Sequence, residues 1–401
     1  MVQNGKHAHD AVILGSARTP QGKFLGALSS LTAADLGKVA VKAAVERSGI
    51  NPADVNEVIL GNVVSAGVGQ ALPRQISIGA GVPGSVGGVA INKVCGSGLK
   101  AVMLASSAIR AGDGNLYVAG GTESMSRAPY LNDSIRQGNK YGAVQLRDAL
   151  QTDGLWCALC DWSMGSAAEF IGRQLEITRE EADEFAIRSH QLAAQATDSG
   201  KFKAEIAPVT TPSGIVEQDE PIRRDTSLEK LAKLPLAFEE QGSVTAGNAP
   251  GMNDGAAALV VSSREYAEQH GHTPTARIVG YGQAAVEPAW LFYAPVKAIP
   301  AALQRAGWTM DDVDLFEVNE AFASQVLADL KGLEREGYTL PLEKLNVHGG
   351  AIALGHPIGA SGARVLVTLI HALQDRGLRR GLAALCLGGA EAVALAVELE
   401  S

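Results

Sequence analysis

The chain repeats itself. Ala43-Ala44-Val45-Glu46-Arg47-Ser48-Gly49 runs on to Asp54-Val55, and Ala301-Ala302-Leu303-Gln304-Arg305-Ala306-Gly307 runs on to Asp312-Val313, with Gly and Asp-Val at one shared offset. Later pieces recur in the same order: Ser97-Gly98 with Ser361-Gly362, and Gly-Gly-x-Glu at Gly120–Glu123 and at Gly388–Glu391. A duplication on this scale restricts the fold to two similar halves. Each half reads strand, helix, strand, strand, helix, strand, which predicts an α/β fold of mainly parallel sheets with helices on their faces. At 401 residues the chain exceeds the usual size of one core, so two or three substructures are expected. Residues 126–249 are richer in charge and proline, as in Gln218-Asp219-Glu220-Pro221-Ile222-Arg223-Arg224-Asp225, and read as an inserted loop region. The expected division is 1–125, then 126–249 with a return into the first half, then 250–401.

Ligands of such sheets gather outside the carboxyl ends of strands. Val86 to Val94 reads as a buried strand and Leu99 to Ala105 as a helix, with Gly96 and Gly98 allowing the sharp turn that carries Cys95. A helix start stabilises a thiolate through its free N–H groups and dipole, so Cys95 is expected to be partly ionised and nucleophilic. Asn319 follows the strand-like Val313 to Val318, and Cys386 follows Gly381 to Leu385; His356 lies between glycines in Gly355-His356-Pro357-Ile358-Gly359. Singly these read as a turn residue, a buried cysteine and a loop histidine. Together with Cys95 they read as nucleophile, bases and a polar partner.

The 34 Lys and Arg against 43 Asp and Glu, net −9, argue against nucleic acid or an anionic membrane as partner. Met1 to Asp10 lacks the apolar core of a signal peptide, no stretch has about 18 uninterrupted apolar residues, and Glu398-Leu399-Glu400-Ser401 is no peroxisomal address, so a cytoplasmic location is expected. The 46 glycines, where ordinary usage gives about 28, suit tight turns and close backbone contact. Four cysteines in this length make no disulfide framework. Trp156-Cys157-Ala158-Leu159-Cys160 resembles a redox motif, but it follows a helix-like segment and a turn rather than a strand, and no second pair completes a zinc site. It reads as two loop cysteines with no redox role.

Along its whole length the chain resembles the thiolase family, in Val94-Cys95-Gly96-Ser97-Gly98-Leu99-Lys100-Ala101, Asn319-Glu320-Ala321-Phe322-Ala323, the run Gly349 to Arg364 around His356, and Cys386-Leu387-Gly388-Gly389. Ala17-Arg18-Thr19-Pro20 and Val244-Thr245-Ala246-Gly247-Asn248 add to it. The resemblance implies a five-layered αβαβα core under a loop domain, and the interconversion of two acetyl-CoA with acetoacetyl-CoA and CoA, or cleavage of longer 3-ketoacyl-CoAs. It implies that Cys95 carries the acyl group, His356 activates it and Cys386 moves the α-proton. Asn319 would hold a water beside His356, and the N–H groups of Cys95 and Gly388 would form an oxyanion site. No metal, flavin or nicotinamide is implied; coenzyme A is carried by the substrates. Arg223 and Lys230 would meet its phosphates, and Leu155, Met164, Ala246 and Phe322 would line the pantetheine and acyl channel.

The pattern also departs from the family. Ser163 stands where many members have histidine, Phe170 where they have asparagine, Pro250 where they have serine, and Trp290-Leu291-Phe292-Tyr293 in a stretch usually richer in Met and Gly. The bulk of Phe170, Trp290, Phe292 and Tyr293 predicts an altered pocket, with the short-chain acetyltransferase the first reading and a 3-ketoacyl-CoA thiolase of another chain length the second. Cys386 argues against a decarboxylating ketosynthase, and the four intact motifs against a silent CoA- or lipid-binding relative. The family implies a homodimer or homotetramer, the latter through Asn132 to Asp148.

Overall fold

A computed structural model describes residues 7–400; Met1–Lys6 of the N-terminal stretch and Ser401 lie outside the described residues. The main-sheet strands are β1 (Ala11–Arg18), β2 (Gly22–Lys23), β3 (Glu57–Gly61), β4 (Gly87–Ile91), β5 (Leu116–Ser124), β6 (Asn253–Ser263), β7 (Ala276–Ala285), β8 (Leu315–Val318), β9 (Arg380–Leu387) and β10 (Glu391–Leu399). The principal helices are α1 (Ala33–Ser48), α2 (Leu72–Gly79), α3 (Ser97–Ala111), α4 (Met164–Gln174), α5 (Arg179–Asp198), α6 (Ala294–Ala306), α7 (Ala323–Arg335) and α8 (Ile358–Arg376).

The duplication has a physical meaning. Helices α1 and α6 both stop at the repeated glycine, Gly49 at φ +67° and Gly307 at φ +70°, a left-handed stop that glycine adopts without a Cβ penalty. The Ser-Gly pairs mark where α3 and α8 cross at the centre. A Cβ on Gly98 would lie 2.6 Å from the Ala363 nitrogen, and one on Gly362 only 2.3 Å from the Leu99 nitrogen. The two backbones touch, and any side chain there would force them apart.

Helices α1 and α2 cover one face of the first half-sheet, α3 and α8 fill the middle, and α6 and α7 cover the second half-sheet, giving five layers. The strand order is β8-β9-β10-β7-β1-β6-β5-β3-β4, with β2 beside β6. Only β3–β4, β3–β5 and β8–β9 are parallel. The mainly parallel sheet expected from the strand–helix alternation is therefore corrected to a mixed one. Parallel neighbours need a crossover connection, whereas β10 follows β9 by a tight hairpin and β6 runs antiparallel to both its neighbours. The boundary expected at 250 moves as well. Strand β6 lies between β1 and β5, antiparallel to both, so the first half extends to Ser263.

The expected buried strand Val86 to Val94 shortens to β4, the sheet edge, where Gly87, Val89 and Ala90 are exposed. The insertion is tied to β1 by Arg18, which is 0% exposed and bonds Glu205 at 2.6 Å and both oxygens of Asp219 at 2.7 and 2.9 Å. Such a buried cation is tolerable only because it is fully paired. Among the described residues no helix is long and apolar enough to cross a membrane.

Candidate active site

Cys95 sits in the turn from β4 to α3. The sequence assigns the turn's backbone freedom to Gly96 and Gly98, but the left-handed residue is Val94, at φ +45°. A β-branched residue held there stores roughly 1–3 kcal/mol of strain. Side chains hold it: Asn92 Oδ1 accepts the Val94 N–H at 3.0 Å, while Ser97 Oγ accepts the Lys93 N–H at 2.9 Å and donates to the Val94 carbonyl at 2.7 Å. Gly96 is needed for room, since a Cβ there would lie 2.3 Å from a Leu387 methyl.

The thiol is half-buried, and burial pushes its pKa up to about 11 although the N–H groups of Gly388 and of Cys95 itself hydrogen-bond to the sulfur. The expected partial thiolate is thus corrected to a neutral thiol, because desolvation outweighs the two donors.

His356, 7% exposed, is neutral as well: burial, and then the charge of Arg364, hold it down to about 3. Its backbone N–H donates to Asn253 Oδ1 at 2.9 Å, and its Nδ1 lies 2.6 Å from Ser361 Oγ, which also reaches the Pro357 carbonyl at 3.0 Å. The Ser361 hydroxyl can accept from Nδ1–H or donate to Nδ1, so either tautomer is supported. Nε2 is buried without a partner among the described residues. Gly355, at φ +106°, packs on the Asn253 amide, where a Cβ would lie only 2.5 Å from Cγ.

Cys386 closes β9, is 0% exposed, and has its pKa raised by burial, with Cys95 and Asp329 close enough to oppose a charge on it. Asn319 follows β8; its N–H donates to the Ala384 carbonyl at 2.9 Å, and neither polar atom of its buried side-chain amide has a partner among the described residues. Glu123 fastens the floor from below, accepting from Asn62 Nδ2 at 2.9 Å and from the N–H groups of Val63, Val64 and Gly359 at 3.0–3.2 Å. Burial pushes its carboxyl up to about 7.

Cys95, His356, Cys386 and Gly388 meet on one cavity of about 420 Å³; Asn319 lies outside its lining. Leu155, Met164 and Phe322 line the walls, where the resemblance puts them, and so do Ser163 and Pro250. Arg223, Lys230 and Ala246 are exposed and do not line it: the Arg223 guanidinium donates to the Ala246 carbonyl at 2.9 Å, and Lys230 pairs with Asp225 at 2.5 Å. Phe170, Trp290 and Tyr293, expected to crowd the pocket, are also off the wall. They extend from Trp162 as an aromatic ladder with centroids 5.6, 5.7 and 5.8 Å apart, and only Phe292 of the bulky group reaches the cavity. Ser163 caps α4 by accepting the Ser166 N–H at 3.0 Å. Sequence reasoning misses Asn253, Met125, Trp156, Phe238 and Met252. An asparagine shortly after an Asn-Ala-Pro-Gly turn was the only available signal for the first.

A strained turn bearing a thiol, a neutral imidazole and a second thiol at the end of β9, all on one cavity, define an acyl-transfer site on a duplicated α/β fold. The chain belongs to the thiolase family: residues 11–265 match the thiolase N-terminal domain and 272–399 the thiolase C-terminal domain. An acetyl-CoA acetyltransferase of Cupriavidus necator is 48% identical over 394 residues, covering 97% of this chain and 99% of that protein. A probable acetyl-CoA acetyltransferase of Escherichia coli is 48% identical over 393 residues, covering 97% and 99%. The crystal structure of the Bacillus anthracis acetyl-CoA acetyltransferase superposes with a TM-score of 0.94 at 42% identity, covering 99% of this chain and 100% of that one. The Syntrophomonas wolfei acetyl-CoA acetyltransferase does so with a TM-score of 0.96 at 40% identity, covering 98% and 99%.

Proposed function

We propose that this chain is an acetyl-CoA acetyltransferase, catalysing the reversible condensation of two acetyl-CoA to acetoacetyl-CoA and CoA. The observation that carries the reading is the meeting of Cys95, His356, Cys386 and Gly388 on one cavity, with His356 Nε2 free to take a proton. His356 Nε2 accepts the Cys95 proton as the sulfur attacks the thioester carbonyl, and returns it to the departing CoA thiolate. The N–H groups of Cys95 and Gly388 hold the developing oxyanion, each such donor contributing roughly 100- to 1,000-fold in rate. Cys386, ionised by loss of its proton to solvent water, then removes the α-proton of a second acetyl-CoA; the carbanion attacks the acetyl group on Cys95, and the released Cys95 sulfur takes up a proton. His356, with Ser361 donating to Nδ1, and a water positioned by the Asn319 amide serve the enolate oxygen.

The apolar walls suit pantetheine and a short acyl chain, exposed Arg223 and Lys230 are the cations offered to the CoA phosphates, and Ala246, hydrogen-bonded to Arg223, would meet the pantetheine. The exposed edge of β4 suits pairing with a second copy. Tyr141, 98% exposed, with Ile135 and Leu146, makes the 132–148 loop a contact for a tetramer. A cytoplasmic location accords with the acidic charge and the absence of a spanning helix among the described residues.

The test is acetyl-CoA alone, followed by digestion and mass spectrometry, with released CoA measured by a thiol reagent. Acetyl on Cys95 is expected; acetyl on Cys157, Cys160 or Cys386 and never on Cys95 overturns the assignment. A chain-length series of 3-ketoacyl-CoAs fixes the acyl preference.

A further inference from the structure

The cysteine pair that the sequence reads as inert stands on the cover of the cavity. Trp156–Cys157 and Trp162–Ser163 form a short hairpin, Trp156 opposite Ser163 and Cys157 opposite Trp162. Its first rung lines the cavity, and its second carries a cysteine. Ala158 to Asp161 make the turn, which the Trp156 indole closes by donating to Asp161 Oδ1 at 3.0 Å. Cys157 is 3% exposed, in an apolar cluster with Ala167, Ile171 and Phe292, and half-buried Cys160 packs against the same cluster. Only Ala158 and Leu159 separate the two cysteines along the turn, and both pack on the one cluster. The reaction derived above uses neither.

We propose that Cys157 and Cys160 form a reversible disulfide site, closed by exchange with a small-molecule disulfide such as oxidised glutathione. Cys160 attacks first, because solvent reaches it and not Cys157. Its thiolate forms a bond to one sulfur of the reagent, the reagent's S–S bond breaks, and one glutathione leaves as a thiol. The Cys157 thiolate then attacks Cys160 Sγ, the internal S–S bond forms, and the second glutathione leaves. Two protein thiols are oxidised and one disulfide is reduced to two thiols. Burial and the neighbouring thiol raise the Cys160 pKa, so the exchange is slow near neutrality and quickens roughly tenfold per pH unit. Closure staples the turn behind the rung that carries Trp156 and Ser163, leaving the Cys95 thiol free.

The full-length enzyme is incubated with oxidised glutathione, alkylated, digested and analysed by mass spectrometry. The peptide holding Cys157 and Cys160 is expected to lose two hydrogens and resist alkylation until dithiothreitol is added, while Cys95 still takes acetyl from acetyl-CoA. In Cys157→Ser a glutathione adduct should accumulate on Cys160; in Cys160→Ser position 157 should stay unmodified. Oxidation of Cys95 or Cys386 with Cys160 still alkylatable overturns the proposal. So does a glutathione adduct that persists on Cys160 of the unsubstituted enzyme.

Discussion

The floor of the cavity and its cover are held by different forces. Cys95 and Cys386 stand just past β4 and at the end of β9, with Asn319 off the lining after β8, so the sheet sets their approximate positions, and Glu123 ties the segment after β3 to the loop that carries His356. The cover is held by side chains: the Ser163 cap, the buried Glu169 carboxylate accepting the Ser243 and Val244 N–H groups at 2.7 and 2.8 Å, and the Trp162–Phe170–Trp290–Tyr293 ladder. Backbone placement tolerates little change; side-chain placement can be exchanged residue by residue. The floor should therefore govern chemistry and the cover substrate choice and stability.

The largest expected effect falls on the floor. Cys95→Ser should abolish acetylation and lower kcat/KM roughly 10,000-fold or more, measured as acetoacetyl-CoA thiolysis. Cys386→Ser should keep acetylation of Cys95 and lose condensation by roughly 100- to 10,000-fold. Equal loss of both steps would make Cys386 structural and break the division of labour within the floor. In the free enzyme a Cys95 pKa of about 11 predicts that iodoacetamide labelling accelerates about tenfold per pH unit through the neutral and mildly alkaline range. A rate already flat at neutral pH would restore the thiolate reading.

The floor also sets an acid limit on stability. His356 titrates near 3 when folded against an ordinary 6.5, so as pH falls through that window the unfolded chain takes up the proton first and stability drops. The contribution is roughly 2 kcal/mol at about pH 5. His356→Asn should lose less Tm between neutral pH and about pH 5 than the parent does.

Cover substitutions should act differently. Trp290→Ala should cost about 1–3 kcal/mol of stability while leaving the ratio of kcat/KM between acetoacetyl-CoA and longer 3-ketoacyl-CoAs unchanged, since the ladder lies off the wall. Ser163→His places a ring at the wall itself and should shift that ratio by about 1–3 kcal/mol with Cys95 acetylation intact. If Trp290→Ala changed selectivity and Ser163→His did not, the line drawn between wall and ladder would be in the wrong place.

The floor was legible in the sequence because strand ends and glycine turns leave local signatures: Cys95, His356 and Cys386 could each be placed at one. What local patterns cannot encode is which side chain faces the cavity. Phe170 and Trp290 are bulky beside pocket residues, yet their rings stack away from it. The Gly-Gly-x-Glu repeat misleads for the same reason: Glu123 is buried with four donors, while Glu391, half-exposed, pairs with Lys93. Strand direction was hidden too, because a sequence shows that a strand follows a helix and not which edge it joins. The ionisation of Cys95 depends on how deeply later segments bury it, which the turn alone does not contain.

The position of β6 between β1 and β5 bears on how the chain is made. During synthesis β1 through β5 leave the ribosome long before Asn253–Ser263, the strand that joins β1 to β5. Until then β1 has no neighbour in the first half-sheet, and the apolar face of α1 has only part of the surface it packs on. Early β pairing without its central strand is slow and exposes edges to other chains. Ribosome-bound chains arrested before Asn253 should therefore be cut readily by protease within residues 11–124, whereas chains arrested far enough beyond Ser263 to clear the exit tunnel should resist.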